Sequence, residues 1–266
     1  MSKVFSFELH KLFRSKSFYI WTVISIALST LFLVVSFFVY KTVNSEAFIL
    51  AAQESDPSTN NLIMQPENGI ISMVRFFAKS PIAFCIMIFV HSFVCDDFEN
   101  GILKNVISKG YSRTVIFTAK YITLLIASCI MTALNAIIVF AVSTALYGNI
   151  GESYGTLIPQ MLLLFFGIMT FTGLFFMLCT IIKKNAPAVI ISILSLLLLP
   201  QALSLVNMGL KLKNFDFCVL WFGSQFDSIS NANVTAGMLA GAAVCFVIYF
   251  IITYIVSIVS VRKMEV

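Results

Sequence analysis

Residues 18–40 read FYIWTVISIALSTLFLVVSFFVY, 23 residues without one charge. A helix needs about 20 apolar residues to cross the hydrocarbon core of a bilayer. A secretory signal core is shorter, roughly 7–15 residues, and no small-x-small cleavage site follows this run. It is therefore expected to stay as a membrane span. Five further runs have the same character: 72–95, 119–147, 156–182, 186–206 and 236–261. The second is the weakest. Its uncharged part, 80–95, extends upstream through 70–77 only by placing Arg75 and Lys79 at an interface. Backbone groups in lipid have no water to bond, so spans of this length must be helical. The fold expected is an all-α membrane protein. It has six transmembrane helices in one domain over 1–266, with residues 1–17 lying before the first span.

Composition agrees. Of 266 residues, 59% are hydrophobic and 11% charged, against about 25% charged in soluble domains. The mean hydropathy is +0.98. The net charge of +5 comes from basic residues beside apolar runs. Such residues set topology and meet anionic lipid; nucleic acid is not expected as a partner. With the N-terminus inside, the inner loops hold twelve Lys and Arg and the outer loops five. Both termini are thus expected in the cytoplasm of a bacterial plasma-membrane protein.

Chemistry-bearing motifs are scarce. The six cysteines form no CxxC pair and read as small buried hydrophobes. His10 and His91 are the only histidines, and His91 reads as structural. No HExxH or GxSxG occurs, so no catalytic or metal-ligating residue is assigned. No GxxxxGK[ST] loop occurs either, so no ATP or other cofactor is expected on this chain.

The outer loops are 42–70, with a short helix expected over 43–53, and 211–235. Pro200 is expected to bend or break the fifth span.

Two segments on the inner side carry more. In 2–17, Val4, Phe5, Leu9, Leu12 and Phe13 recur at helical spacing, with Lys3, His10, Lys11 and Arg14 on much of the remaining surface. This pattern predicts an amphipathic helix in the inner interface. In 96–120, Phe98, Ile102 and Val106 stand four apart, flanked by Leu103 and Ile107. Acids lead and bases follow, and Gly110 is a natural stop. A short helix over about 97–109 is expected there.

The order Glu99-x-Gly101-Ile102-Leu103-Lys104, then Val106, Ile107, Ser108, Gly110, Ser112, Arg113 and Lys120, resembles ABC-2-type exporter permeases. Glu8-Leu9-x-Lys11-Leu12-x-Arg14-Ser15 before a span resembles them too, and the six-span topology covers the whole chain. Size and style are similar to bacterial permeases for peptide antibiotics, bacteriocin immunity and amphipathic peptide toxins. The resemblance implies a coupling helix that seats on a separate ATPase through Phe98, Glu99, Gly101, Ile102, Leu103, Lys104, Val106 and Arg113. It implies an interfacial connecting helix presenting Phe5, Leu9, Leu12 and Phe13. It further implies short re-entrant helices within 205–235 and a second permease chain enclosing a path. Its cargo would be a hydrophobic or amphipathic substrate such as a peptide, with Phe32, Phe37, Phe38, Phe165, Phe166, Phe171, Phe175 and Phe176 as candidate walls. The alternatives are an ion-coupled carrier and a non-transporting anchor or sensor subunit. The carrier is disfavoured because no charge is placed deep in a span, where coupling ions bind.

Overall fold

A computed structural model describes residues 2–45, 68–79, 81–151, 155–210, 217–230 and 234–263. Among them the chain forms helices and no strand. In order these are α1 (Ser2–Arg14), α2 (Lys16–Val43), α3 (Gly69–Lys79), α4 (Ile82–Glu99) and α5 (Ile102–Ser108). Then come α6 (Arg113–Tyr147), α7 (Leu157–Ile182), α8 (Asn185–Leu210), α9 (Ser224–Ile229) and α10 (Ala236–Arg262). A single 3₁₀ turn, Phe217–Leu220, precedes α9.

Among the described residues, five helices are long and apolar enough to cross a membrane: α2, α6, α7, α8 and α10. A sixth span exists if α3 and α4, which meet at 44°, are counted as one. The bend falls beside Pro81, which opens α4, a position where a missing N–H is no loss. The protein is thus an all-α membrane protein of five long apolar helices and one bent pair.

Several boundaries differ from the sequence reading. Helix α6 begins at Arg113, six residues before 119, so Lys120 falls inside its second turn. The single helix expected over 97–109 is two elements. Asp96–Glu99 is the last turn of α4, and Gly101, in the left-handed region at φ 67°, separates it from α5. Glycine takes that conformation without the Cβ penalty other residues pay in strain. Helix α8 runs unbroken through Pro200, at the cost of one backbone hydrogen bond. From residue 46 onward, the helix expected over 43–53 lies outside the described residues.

Helix α6 is the hub, touching α1, α2, α3, α7 and α10, while α7 packs on α4, α8 and α10. Small polar side chains stitch these contacts. Asn135 Nδ2 of α6 donates to Ser25 Oγ of α2 at 2.9 Å, and Ser29 Oγ donates to Asn135 Oδ1 at 3.1 Å. Thr172 Oγ1 of α7 donates to Ser128 Oγ of α6 at 2.8 Å. Such bonds in membranes contribute about 0.6 kcal/mol each on average. Among the five long helices α7 is the most enclosed and α8 the least; Leu194, Leu197 and Leu198 leave one face of α8 uncovered by the rest of the chain.

Between α8 and α10 the chain turns inward. Trp221 and Phe222 reach Phe171 in the middle of α7 and Tyr249 in the middle of α10, with Phe222–Phe171 centroids 4.5 Å apart. Phe226 closes over Gly167, where an added Cβ would stand 2.4 Å from its ring. Irregular backbone at this depth survives because its polar groups are met by protein. Gln160 donates to the Ile229 carbonyl and Gln225 to that of Val219.

Candidate functional site

One end of the bundle gathers α1, the last turn of α4, α5, the start of α6, the α7–α8 turn and the C-terminus of α10. This is the terminal end of the bundle. Helix α1 reaches it by its own pattern. Val4, Glu8 and Leu12 stand four apart, so they share a face, and all three are buried. Tyr19 Oη donates to the Phe13 carbonyl at 3.0 Å, fixing the elbow between α1 and α2.

Glu8 therefore enters an apolar row with a charge, and a buried charge requires a partner. The partner is Lys120 of α6, whose Nζ lies 3.0 Å from Glu8 Oε2 and which is wholly buried. The same ammonium bonds Asp97 Oδ2 of α4, and Lys11 of α1 bonds Asp97 Oδ1. Both ammonium groups stand over the Phe93 ring, 4.8 Å and 4.9 Å from its centroid, a cation–π geometry. Two acids and two bases thus cancel inside one cluster joining α1, α4 and α6. Burial holds the Lys11 ammonium below the usual lysine range, repulsion from Lys120 adds to this, and Asp97 pulls the other way.

The residues beside Asp97 face other ways. Phe98 is half-buried and packs on Phe117 of α6 at 5.7 Å. Glu99 is exposed, and its Oε1 accepts from the backbone N–H of Asn185, the first residue of α8, at 2.9 Å. A carboxylate at a helix N-terminus satisfies a donor the helix itself leaves open and meets its positive end. Three consecutive residues of α4 thus grip three different places in the bundle.

The other candidates sit around this point. Leu103 is buried, Val106 is half-buried against the core, and Ile102 is half-buried. Arg113 opens α6 and is half-buried. The Lys104 side chain lies outside the described residues. In α1, Leu12 is buried, Phe5 and Leu9 pack partly on the core, and Phe13 is exposed. Of the proposed path walls, Phe171, Phe175 and Phe176 are buried within this chain's own core and so face no path between chains. Phe165 and Phe166 pack partly on that core, while Phe32 and Phe38 are exposed. His91 is satisfied on both ring nitrogens: Nδ1 lies 2.6 Å from the Met87 carbonyl and Nε2 3.0 Å from Ser192 Oγ.

Sequence reading missed the cluster of Glu8, Lys11, Asp97 and Lys120, although Glu8, Lys11 and Lys120 stand in the motifs it singled out. The available signal was Glu8, the one acid of α1, set midway between Val4 and Leu12 on the apolar face.

Comparison with curated proteins finds no match. The profile of a family described as "Protein of unknown function (DUF2705)" matches residues 59–266, leaving α1 and α2 outside the matched range. Since that match spans α3 to α10 and more than half of the chain, this protein belongs to the DUF2705 family.

Proposed function

We propose that this chain is the membrane-spanning permease subunit of an ATP-driven exporter of the ABC-2 type. It would have six spans, both termini in the cytoplasm, and a cargo that is hydrophobic or amphipathic, a peptide or toxin among them. The observation that carries the reading is a convergence. The two stretches that resemble the exporter family are 112 residues apart at Glu8 and Lys120, yet they meet in one buried ionic cluster. Power would come from a separate ATPase, since this chain has no phosphate-cradling loop, and a second permease chain would complete the path.

In this reading α5, with Ile102 and the neighbouring exposed polar residues, seats on the ATPase. Phe98 and Val106 hold it to the bundle from the other side. Movement of α5 reaches α1 and α6 through Asp97 and reaches α8 through Glu99. Helix α8 is the least enclosed span, so it has the fewest contacts opposing a shift.

Two experiments test this. Ile102→Asp places a charge on the seating surface. Recovery of a co-expressed ATPase on the tagged chain should then fall at least tenfold, and unchanged recovery with unchanged ATP turnover rejects the docking role (tenfold corresponds to about 1.4 kcal/mol). Vesicles holding both proteins should accumulate an amphipathic peptide only with hydrolysable ATP. Accumulation on a proton gradient alone points instead to an ion-coupled carrier.

A further inference from the structure

The face of α1 turned away from the bundle is basic and aromatic. Lys3, His10 and Arg14 share it and are exposed. Phe7 and Phe13 bracket them, 52% and 46% exposed. No acid shares this face, because Glu8, the only acid of α1, is turned inward onto Lys120. The setting of the helix fixes it beside the start of an apolar span. Its C-terminus is separated by Ser15 alone from the 28-residue span α2. Its inner face is locked to the ends of α4 and α6 by Asp97 and Lys120. A helix so placed cannot lift away without breaking the cluster, so its outer face stays at headgroup depth.

We propose that this face of α1 is a binding surface for the headgroups of anionic phospholipid. Lys3, His10 and Arg14 meet the phosphates, and Phe7 and Phe13 enter the boundary between headgroups and acyl chains. Positive charge beside apolar rings is the combination that holds an interfacial helix on an anionic leaflet. The inference is independent of the exporter reading, since it needs no partner protein.

The test uses the full chain in detergent micelles doped with phosphatidylglycerol or with phosphatidylcholine, reading the midpoint of thermal unfolding. Phosphatidylglycerol should raise the midpoint by something on the order of 5 °C more than phosphatidylcholine. In 1 M salt, where the screening length is about 3 Å, the difference should shrink. The variant Lys3→Gln/His10→Gln/Arg14→Gln should lose it, while Arg262→Gln/Lys263→Gln, exposed at the same end, should keep it. Equal effects of the two lipids overturn the proposal, as does a triple variant that keeps the difference. Loss of the difference in the Arg262 and Lys263 variant shows diffuse attraction and also overturns it. So does an equal rise with inorganic phosphate, which would mean an anion site without a membrane. If the triple variant has a lower midpoint without lipid, Lys3→Arg/Arg14→Lys supplies the check: with charge kept, it must keep the difference.

Discussion

Lys120 shows how one buried charge organises its surroundings. Taking an ammonium out of water costs several kcal/mol even after relaxation, and the attraction of its partners offsets this only when the geometry is good. Lys120 has two carboxylates and an aromatic face. Replacing it with Met leaves Glu8 buried without its partner and Asp97 with Lys11 alone. Lys120→Met should therefore destabilise the protein by about 3–5 kcal/mol. Glu8→Gln should cost less, because Lys120 and Lys11 both keep Asp97. Thermal unfolding of the two variants in one detergent checks the order, and a Glu8→Gln loss as large as that of Lys120→Met would contradict the assigned pairing. Sequence reading assigned Lys120 to the opening of a span and Asp97 to a helix outside the bundle. Charge type and spacing were legible, but which charges meet depends on the packing of helices far apart in the chain. Nothing local to residues 8, 97 or 120 encodes that meeting, except that Glu8 interrupts an apolar row.

Helices were more legible than their contacts. Period and length placed the long helices within four residues at each end, except the start of α6, because an apolar run of bilayer length has one stable backbone form in lipid. The misses have local causes. Gly101 stops α4 and restarts the chain as α5, whereas the apolar spacing of Phe98, Ile102 and Val106 runs straight across it. Pro200 is tolerated inside α8, although a proline usually ends a soluble helix. The inward segment 217–229 gave only weak signals, Trp221 and Phe222 among polar residues. Its position depends on Gly167, whose missing side chain makes room for Phe226. Gly167→Ala should overpack this contact and cost about 1–3 kcal/mol. Adding Phe226→Leu should recover part of the loss, and a purely additive double variant would show that the two residues do not press on each other.

At the scale of the whole molecule, exposed basic residues crowd the terminal end. Lys3, Arg14, Lys16, Lys109, Lys183, Lys184, Arg262 and Lys263 are all there and all exposed. The charge bias of loops sets orientation, so this end should face the cytoplasm. A cysteine placed at Ile150, exposed in the α6–α7 connection at the opposite end, should react with a membrane-impermeant thiol reagent in intact cells. A cysteine at Lys184 should react only after the cells are opened. The reverse pattern would invert the topology and move α5 outside, away from any ATPase.

The pairing of α1 with α6 also bears on how the chain is made. Glu8 leaves the ribosome 112 residues before Lys120 does. When α6 takes its place, its ammonium would be buried among protein side chains without a partner unless an anion stood ready. Helix α1, already emerged and too short to cross the membrane, can hold that anion in place from the moment of synthesis. Deleting α1 should then show itself first as slow or failed insertion of α6, while the polypeptide is still attached to the ribosome.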